Sequence, residues 1–188
     1  MAMKAISANR CLVFLLLAVS ACALDLTTKS AAFRCLGMPG SNTKWIWMDV
    51  FGFQTSLNEG ALFGLGQGMV SVFAGLSIVA AIGIFYWIFF AGGTRDWLLT
   101  IALGFIVAGI FGNLFDRLGL PGLKWDGLSS SHAFGEPVYA VRDFILVRIG
   151  QWNWPNFNLA DSFLNCGAVL LIWHALRIKP APTPEGVS

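Results

Sequence analysis

Met69-Val70-Ser71-Val72-Phe73-Ala74-Gly75-Leu76-Ser77-Ile78-Val79-Ala80-Ala81-Ile82-Gly83-Ile84-Phe85-Tyr86-Trp87-Ile88-Phe89-Phe90 decides the class of fold. No charged residue occurs between Glu59 and Arg95, and about 20 apolar residues suffice for a helix to cross bilayer hydrocarbon. The composition agrees. Of 188 residues, 56% are hydrophobic and only 12% charged, where a soluble domain carries about a quarter charged residues. The mean hydropathy is +0.70. A net charge of +2, scattered along the chain, gives no footprint for nucleic acid. Cys11, Cys22 and Cys166 fall in apolar runs without metal-ligand spacing, and Cys35 has no evident disulfide partner.

Three further runs read as spans, so transmembrane helices are expected at 11–32, 69–90, 97–117 and 158–176. The external loops are then 33–68 and 118–157, and the Pro-rich segment 179–188 reads as a mobile tail. The fold class expected is an all-α membrane protein in one integral-membrane domain. The first run has a rival reading as a cleaved leader, because Lys4 and Arg10 precede a Leu-rich stretch and Val19-Ser20-Ala21-Cys22. The run continues past Cys22, however, and closes on Asp25-Leu26-Thr27-Thr28-Lys29, as a retained helix end would.

Orientation follows from basic residues near the span ends. Lys4, Arg10, Arg95, Arg177 and Lys179 crowd short segments on one side, whereas Arg34, Lys44, Lys124, Arg142 and Arg148 are spread over long loops. That density predicts both termini inside. Trp87, Trp97 and Trp173 then form an inner interfacial belt, and Trp45, Trp47, Trp125, Trp152 and Trp154 an outer one.

Alternating topology also gathers the polar residues. Asp96 to Asp116 is twenty residues, about 30 Å of helix, so Asp116 arrives at the outer face. Asp161 opens the next descending helix and starts at that face. Asp25 and Lys29 end the first ascending helix, and Asn58-Glu59-Gly60 precedes the second helix. One membrane level collects all of them.

Ionisable residues within spans are costly and mark function by default. Asn113 and Asp116 are spaced i, i+3, as are Asn158 and Asp161, so each pair is expected on one helix face. Two neighbouring carboxylates share a proton. Such a pair can deprotonate a water for attack on a peptide carbonyl and protonate the leaving amine, with no metal or cofactor. Plainer readings stand beside this one. Asn158 could N-cap the fourth helix with Asp161 in its first turn, Asp116 could pair with Arg117, and Asp25–Lys29 could be a helix-end ion pair. A proton or cation pathway using the paired acids is the alternative function. Gly60 and Gly64 permit close approach of a bound chain. Gly64-Leu65-Gly66-Gln67-Gly68 lacks the lysine and strand of a phosphate loop. His132 and His174 are too far apart along the alternating spans to suggest a zinc site or a Ser–His pair.

Taken in order, these motifs resemble the signal peptidase II family, the bacterial lipoprotein signal peptidases. Asp25-Leu26-Thr27-Thr28-Lys29 is similar to that family's ending of helix one, and Asn58-Glu59-Gly60-Ala61-Leu62-Phe63-Gly64 to its Asn-x-Gly-Ala-Ala-Phe-Gly segment. Gly112-Asn113-Leu114-Phe115-Asp116-Arg117 and Phe157-Asn158-Leu159-Ala160-Asp161-Ser162 resemble its two catalytic motifs, and Val141-Arg142-Asp143-Phe144 the segment before its last helix. The resemblance implies an aspartic endopeptidase of the bacterial inner membrane that cleaves prolipoproteins just before a diacylglyceryl-modified cysteine. It implies Asp116 and Asp161 as the catalytic pair. Asn58, Gly60, Asn113, Arg117, Asn158 and Ala160 would shape the substrate site, supported by Asp25 and Lys29. Lipidated precursors and membrane lipids are the implied partners, with inhibition by globomycin-type lipopeptides and the site near the extracytoplasmic face. A small β-rich cradle and a short interfacial helix are implied outside the membrane, in Trp45–Gly66 and Val138–Ile149. The chain departs from the family's pattern at Leu26, where Gln is usual, and in a longer Leu118–Pro137 stretch whose Gly, Ser and Pro content reads as an external loop.

Overall fold

The computed structural model describes residues 7–40, 43–60, 66–90, 96–127 and 132–177. Four helices long and apolar enough to cross a membrane are present: α1 (Ala8–Leu36), α2 (Val70–Phe89), α3 (Trp97–Arg117) and α4 (Leu159–Arg177). Three agree with the expected spans to within a residue or two. α1 overruns its expected limits at both ends, because helix-forming residues continue beyond the apolar run. Large apolar side chains such as Leu16, Leu76, Val79 and Val169 point outward from the bundle, the surface that lipid covers. The tail 179–188, Lys4 and Arg95 lie outside the described residues.

α3 is the axis of the bundle. Two-thirds of its most apolar window is buried, against about a fifth or less in the other three helices. Its start is fixed by Asp96, whose Oδ1 accepts from the Leu98 and Leu99 amides at 2.6 and 3.2 Å, satisfying donors that the first turn leaves free. Toward that end the core is apolar, with Phe14, Ile88, Leu99, Leu103 and Val107 packed together. Toward the other end the buried residues become polar. Small residues let α3 and α4 approach closely, as is usual where lipid supplies no hydrophobic drive. A Cβ on Gly109 would lie 2.5 Å from the Ala160 carbonyl oxygen, and one on Gly167 would lie 2.7 Å from that of Ala102.

Beyond the polar end sits a four-stranded antiparallel sheet, in the order β1 (Lys44–Trp47), β2 (Phe51–Asn58), β3 (Val141–Ile149) and β4 (Trp152–Phe157). The β2–β3 register pairs Asn58 with Val141, Leu57 with Arg142 and Ser56 with Asp143. β4 runs into α4 with only Asn158 between them, so the sheet is fixed directly to a span. Pro155 is accommodated because β4 is an edge strand whose pairing slips between Ile145 and Val147.

The sheet lies where a β-rich cradle was expected, with β4 added from a stretch expected as loop. The short interfacial helix is absent among the described residues. Val141–Ile149 is strand β3 instead, as the β-branched and aromatic content of Val141-Arg142-Asp143-Phe144-Ile145-Leu146-Val147 favours.

The α3–α4 approach gives a stability prediction. Gly109→Ala and Gly167→Ala should each lower the melting temperature in detergent, by an amount corresponding to about 1–3 kcal/mol of overpacking. Gly83→Ala, where a Cβ meets nothing within 4 Å, should leave it unchanged or raise it, since Ala favours helix. Equal melting temperatures for all three variants would contradict this packing.

Candidate active site

The polar end of the bundle is organised by Lys29. Its buried Nζ lies 2.8 Å from Asp25 Oδ2 and 3.1 Å from Asp116 Oδ2, and it donates to Asn113 Oδ1 at 2.9 Å. Asp116 takes a second cation. Arg142 donates to it from Nε at 2.8 Å and from its backbone amide at 3.1 Å, while its Nη1 reaches Ser30 Oγ at 3.2 Å. Asp25 Oδ1 accepts from the Ala160 amide at 2.8 Å, so a carboxylate from α1 caps the first turn of α4. Two cations and two anions therefore balance in a buried cluster that joins α1, α3, α4 and β3.

The two asparagines carry this order outward. Asn158 and Asp161 form a reciprocal capping box: the Asp161 amide donates to Asn158 Oδ1 at 3.0 Å, and the Asn158 amide donates to Asp161 Oδ2 at 3.2 Å. The plain reading of this motif as a helix cap is thus correct, but the same carboxylate also accepts from Asn113 Nδ2 at 2.8 Å. Asn158 Nδ2 donates to Asn113 Oδ1 at 3.2 Å and to Asp143 Oδ1 at 2.6 Å. Asp143 and Asp161 are consequently held through one shared pair of amides.

Both of these acids line an open cleft of about 510 Å³, together with Asn58, Gly60, Asn113 and Arg117. Burial, and next the charge of Asp161, push the Asp143 carboxyl up to about 8. It therefore retains its proton at neutral pH beside a second carboxyl, the arrangement expected of a proton-sharing pair. Arg117 donates from Nη2 to the Gly60 carbonyl at 3.3 Å, and its buried Nε meets no hydrogen-bond acceptor among the described residues. Asn58 lines the cleft with Asp143, and its Oδ1 accepts from the Gly60 amide at 3.0 Å.

Expectation and structure part at Asp116. Asn113 and Asp116 do not share a face in the sense required, because three residues along a helix leave a rotation of about 60°. In this crowded junction that angle sends Asn113 toward α4 and the cleft, and Asp116 toward α1 and β3. Asp116 does not line the cleft. The position opposite Asp161 is occupied by Asp143, which the sequence reading quoted within a motif but gave no role. Its signal was a charge pair, Arg142-Asp143, set inside an apolar run. In a strand, neighbours point to opposite faces, so Arg142 turns to the ion cluster and Asp143 to the cleft. The remaining expected residues, Asn58, Gly60, Asn113, Arg117, Asn158, Ala160, Asp25 and Lys29, do converge here. Gly64 lies outside the described residues. His132 contacts Glu59, while His174 stands in the last turn of α4, at the opposite end of the bundle. Among the described residues, no three His, Cys, Asp or Glu side chains are grouped to hold a metal ion.

Known proteins resemble this chain along most of its length. A family model described as signal peptidase (SPase) II matches residues 17–177. The chain is 44% identical to a lipoprotein signal peptidase of Rhodopirellula baltica over 188 aligned positions, covering 96% of this chain and 79% of that protein. It is 31% identical to a lipoprotein signal peptidase of Aquifex aeolicus, covering 89% and 88% respectively. Two solved structures described as bacterial membrane enzymes share the fold. Their TM-scores are 0.70 and 0.68 at 22% and 23% identity, over 100% and 95% of this chain. With a family match over residues 17–177 and 44% identity to a lipoprotein signal peptidase along most of its length, the chain belongs to the signal peptidase II family.

Proposed function

We propose that this protein is an intramembrane aspartic endopeptidase that removes signal peptides from prolipoproteins, with Asp143 and Asp161 as its catalytic pair. The observation that carries the reading is the pair itself: two carboxyls tied through Asn113 and Asn158, both lining an open cleft at the sheet-bearing end of a four-span bundle. Membership of the signal peptidase II family supplies the substrate class. Asp116, the family-based expectation, serves in this reading to hold Arg142 and hence the start of β3.

The chemistry balances with these groups. Asp161 takes a proton from a water in the cleft, and the resulting hydroxide adds to the carbonyl carbon of the scissile peptide. Asp143, which carries the proton at neutral pH, gives it to the leaving nitrogen as the C–N bond breaks. The products are a signal-peptide carboxylate and a free amine on the lipidated cysteine. Proton exchange across the pair restores the starting state. Arg117, whose Nε meets no acceptor among the described residues, and the Asn58–Gly60 turn hold the substrate backbone. Asn113, Asn158 and Ala160 orient the pair from the α3 and α4 sides, and Asp25 and Lys29 support them from α1.

The chain reads as one integral-membrane unit of the inner membrane, with both termini inside and the cleft near the extracytoplasmic face. The dense basic residues beside the opposite span ends support this orientation. The signal helix enters laterally while its acyl chains stay in lipid, and a globomycin-type lipopeptide occupies the same cleft.

Incubation of the purified protein with a diacylglyceryl-modified prolipoprotein, and with its unlipidated twin, tests the reading. Cleavage of the lipidated form alone, unchanged by EDTA, is expected; no cleavage of either form would refute the proposal. A pH series makes a second test. Asp143 must be protonated to act as the acid, so kcat should fall above a pH of about 8, approaching tenfold per unit. A rate that stays flat to pH 10 would remove Asp143 from that role.

A further inference from the structure

The Leu118–Pro137 stretch is more than a connection. Its two described arms, 118–127 and 132–137, meet at a bridge between Lys124 and Pro137. The Trp125 amide donates to the Glu136 carbonyl at 2.8 Å, the Gly135 amide to the Trp125 carbonyl at 2.8 Å, and the Val138 amide to the Leu123 carbonyl at 3.0 Å. The indole of Trp125 stacks flat on His132, with centroids 4.3 Å apart and planes within 5°. Glu136 faces the other ring nitrogen, its Oε2 lying 3.4 Å from Nδ1 and accepting the Ala133 amide at 3.0 Å. A stacked ring gripped on one edge is held in a fixed orientation, and its Nε2 points at Glu59 Oε1, 2.7 Å away.

Glu59 stands between two residues of the cleft. On one side, Asn58 lines it together with Asp143. On the other, Gly60 offers its carbonyl to Arg117. The turn these three residues make closes the end of β2, where the last ladder pair is Asn58 with Val141, and strand ends are where local opening begins. The side chain of this stretch that reaches the turn is His132.

We infer that His132, acting through Glu59, is a positioning residue of the proteolytic site, holding the Asn58–Gly60 turn so that Asn58 faces the cleft beside Asp143 and Gly60 meets Arg117. The inference rests on the proposed protease activity and extends it to a segment with no part in the chemistry itself. Because the Asn58 amide favours the ionised form of Asp143 against the larger effects of burial and Asp161, loosening the turn has a signature that simple loss of folding lacks. The alkaline limb of the rate profile moves to higher pH.

The test uses the full chain in lipid nanodiscs with a lipidated precursor, comparing His132→Ala, Glu59→Ala, Glu59→Gln and the double alanine variant. Both alanine variants should lose about tenfold or more in kcat, the scale of a small misplacement of reacting groups, and should shift the alkaline limb upward. The double variant should be no worse than either single one, since the two act through one contact. Glu59→Gln, which still accepts from the imidazole, should recover most of the rate lost in Glu59→Ala. Wild-type kcat and an unmoved limb in the alanine variants would overturn the inference alone. So would loss in Glu59→Gln equal to Glu59→Ala, accompanied by a lowered melting temperature. Absence of cleavage by the wild type would overturn the protease reading, and this inference with it.

Discussion

The ion cluster of Lys29, Asp25, Asp116 and Arg142 is the constraint on which the rest depends. It is buried and charge-balanced, and its members come from α1, α3 and β3, with Asp25 also capping α4. Removing one partner of such a group leaves an uncompensated buried charge, at a cost of about 3–5 kcal/mol. The cluster thus fixes four elements at one level in a way that lipid-facing apolar contacts alone do not. It also fixes rotation. Lys29 holds the Asn113 carbonyl, which leaves the Asn113 amide turned to Asp161.

From that anchor the site follows by strand geometry. Asp116 grips Arg142 by both its backbone amide and its guanidinium, setting the first turn of chain in β3. Asp143 is the next residue, and alternation delivers it to the opposite side, into the cleft. A scaffold aspartate and a cleft aspartate are therefore separated by a single arginine. The cluster is dry and paired; the cleft is open, and its acid keeps a proton because burial and Asp161 make ionisation costly there. That difference in environment divides the two roles among acidic residues that composition alone does not distinguish.

Much of this was legible in the chain. The four apolar runs and the alternation of spans predict the level at which Asp25, Lys29, Asn58, Asn113, Asp116, Asn158 and Asp161 meet, and the structure gathers them there. The Asn158–Asp161 spacing announces a helix cap, which it is. What spacing did not convey is direction around α3, where about 60° between Asn113 and Asp116 suffices to send them to different neighbours. Strand register was equally hidden. Nothing local in Val141-Arg142-Asp143-Phe144 says which side chain turns outward until Asn58 is paired with Val141 and Arg142 is bound to Asp116. The interfacial helix expected in Val138–Ile149 fails for a related reason, since a β-branched run finds a waiting partner in β2 and takes it.

The account's central claim is that Asp143 gives up the proton that releases the product amine. The most direct measurement is the single-turnover rate of Asp143→Asn on a lipidated precursor in nanodiscs, read beside its melting temperature. An isosteric amide keeps the Asn158 contact but cannot donate that proton. The account predicts a loss of at least about a thousandfold, within the range of general acid–base contributions, in a protein that melts no lower than the wild type. Cleavage at the wild-type rate would contradict it.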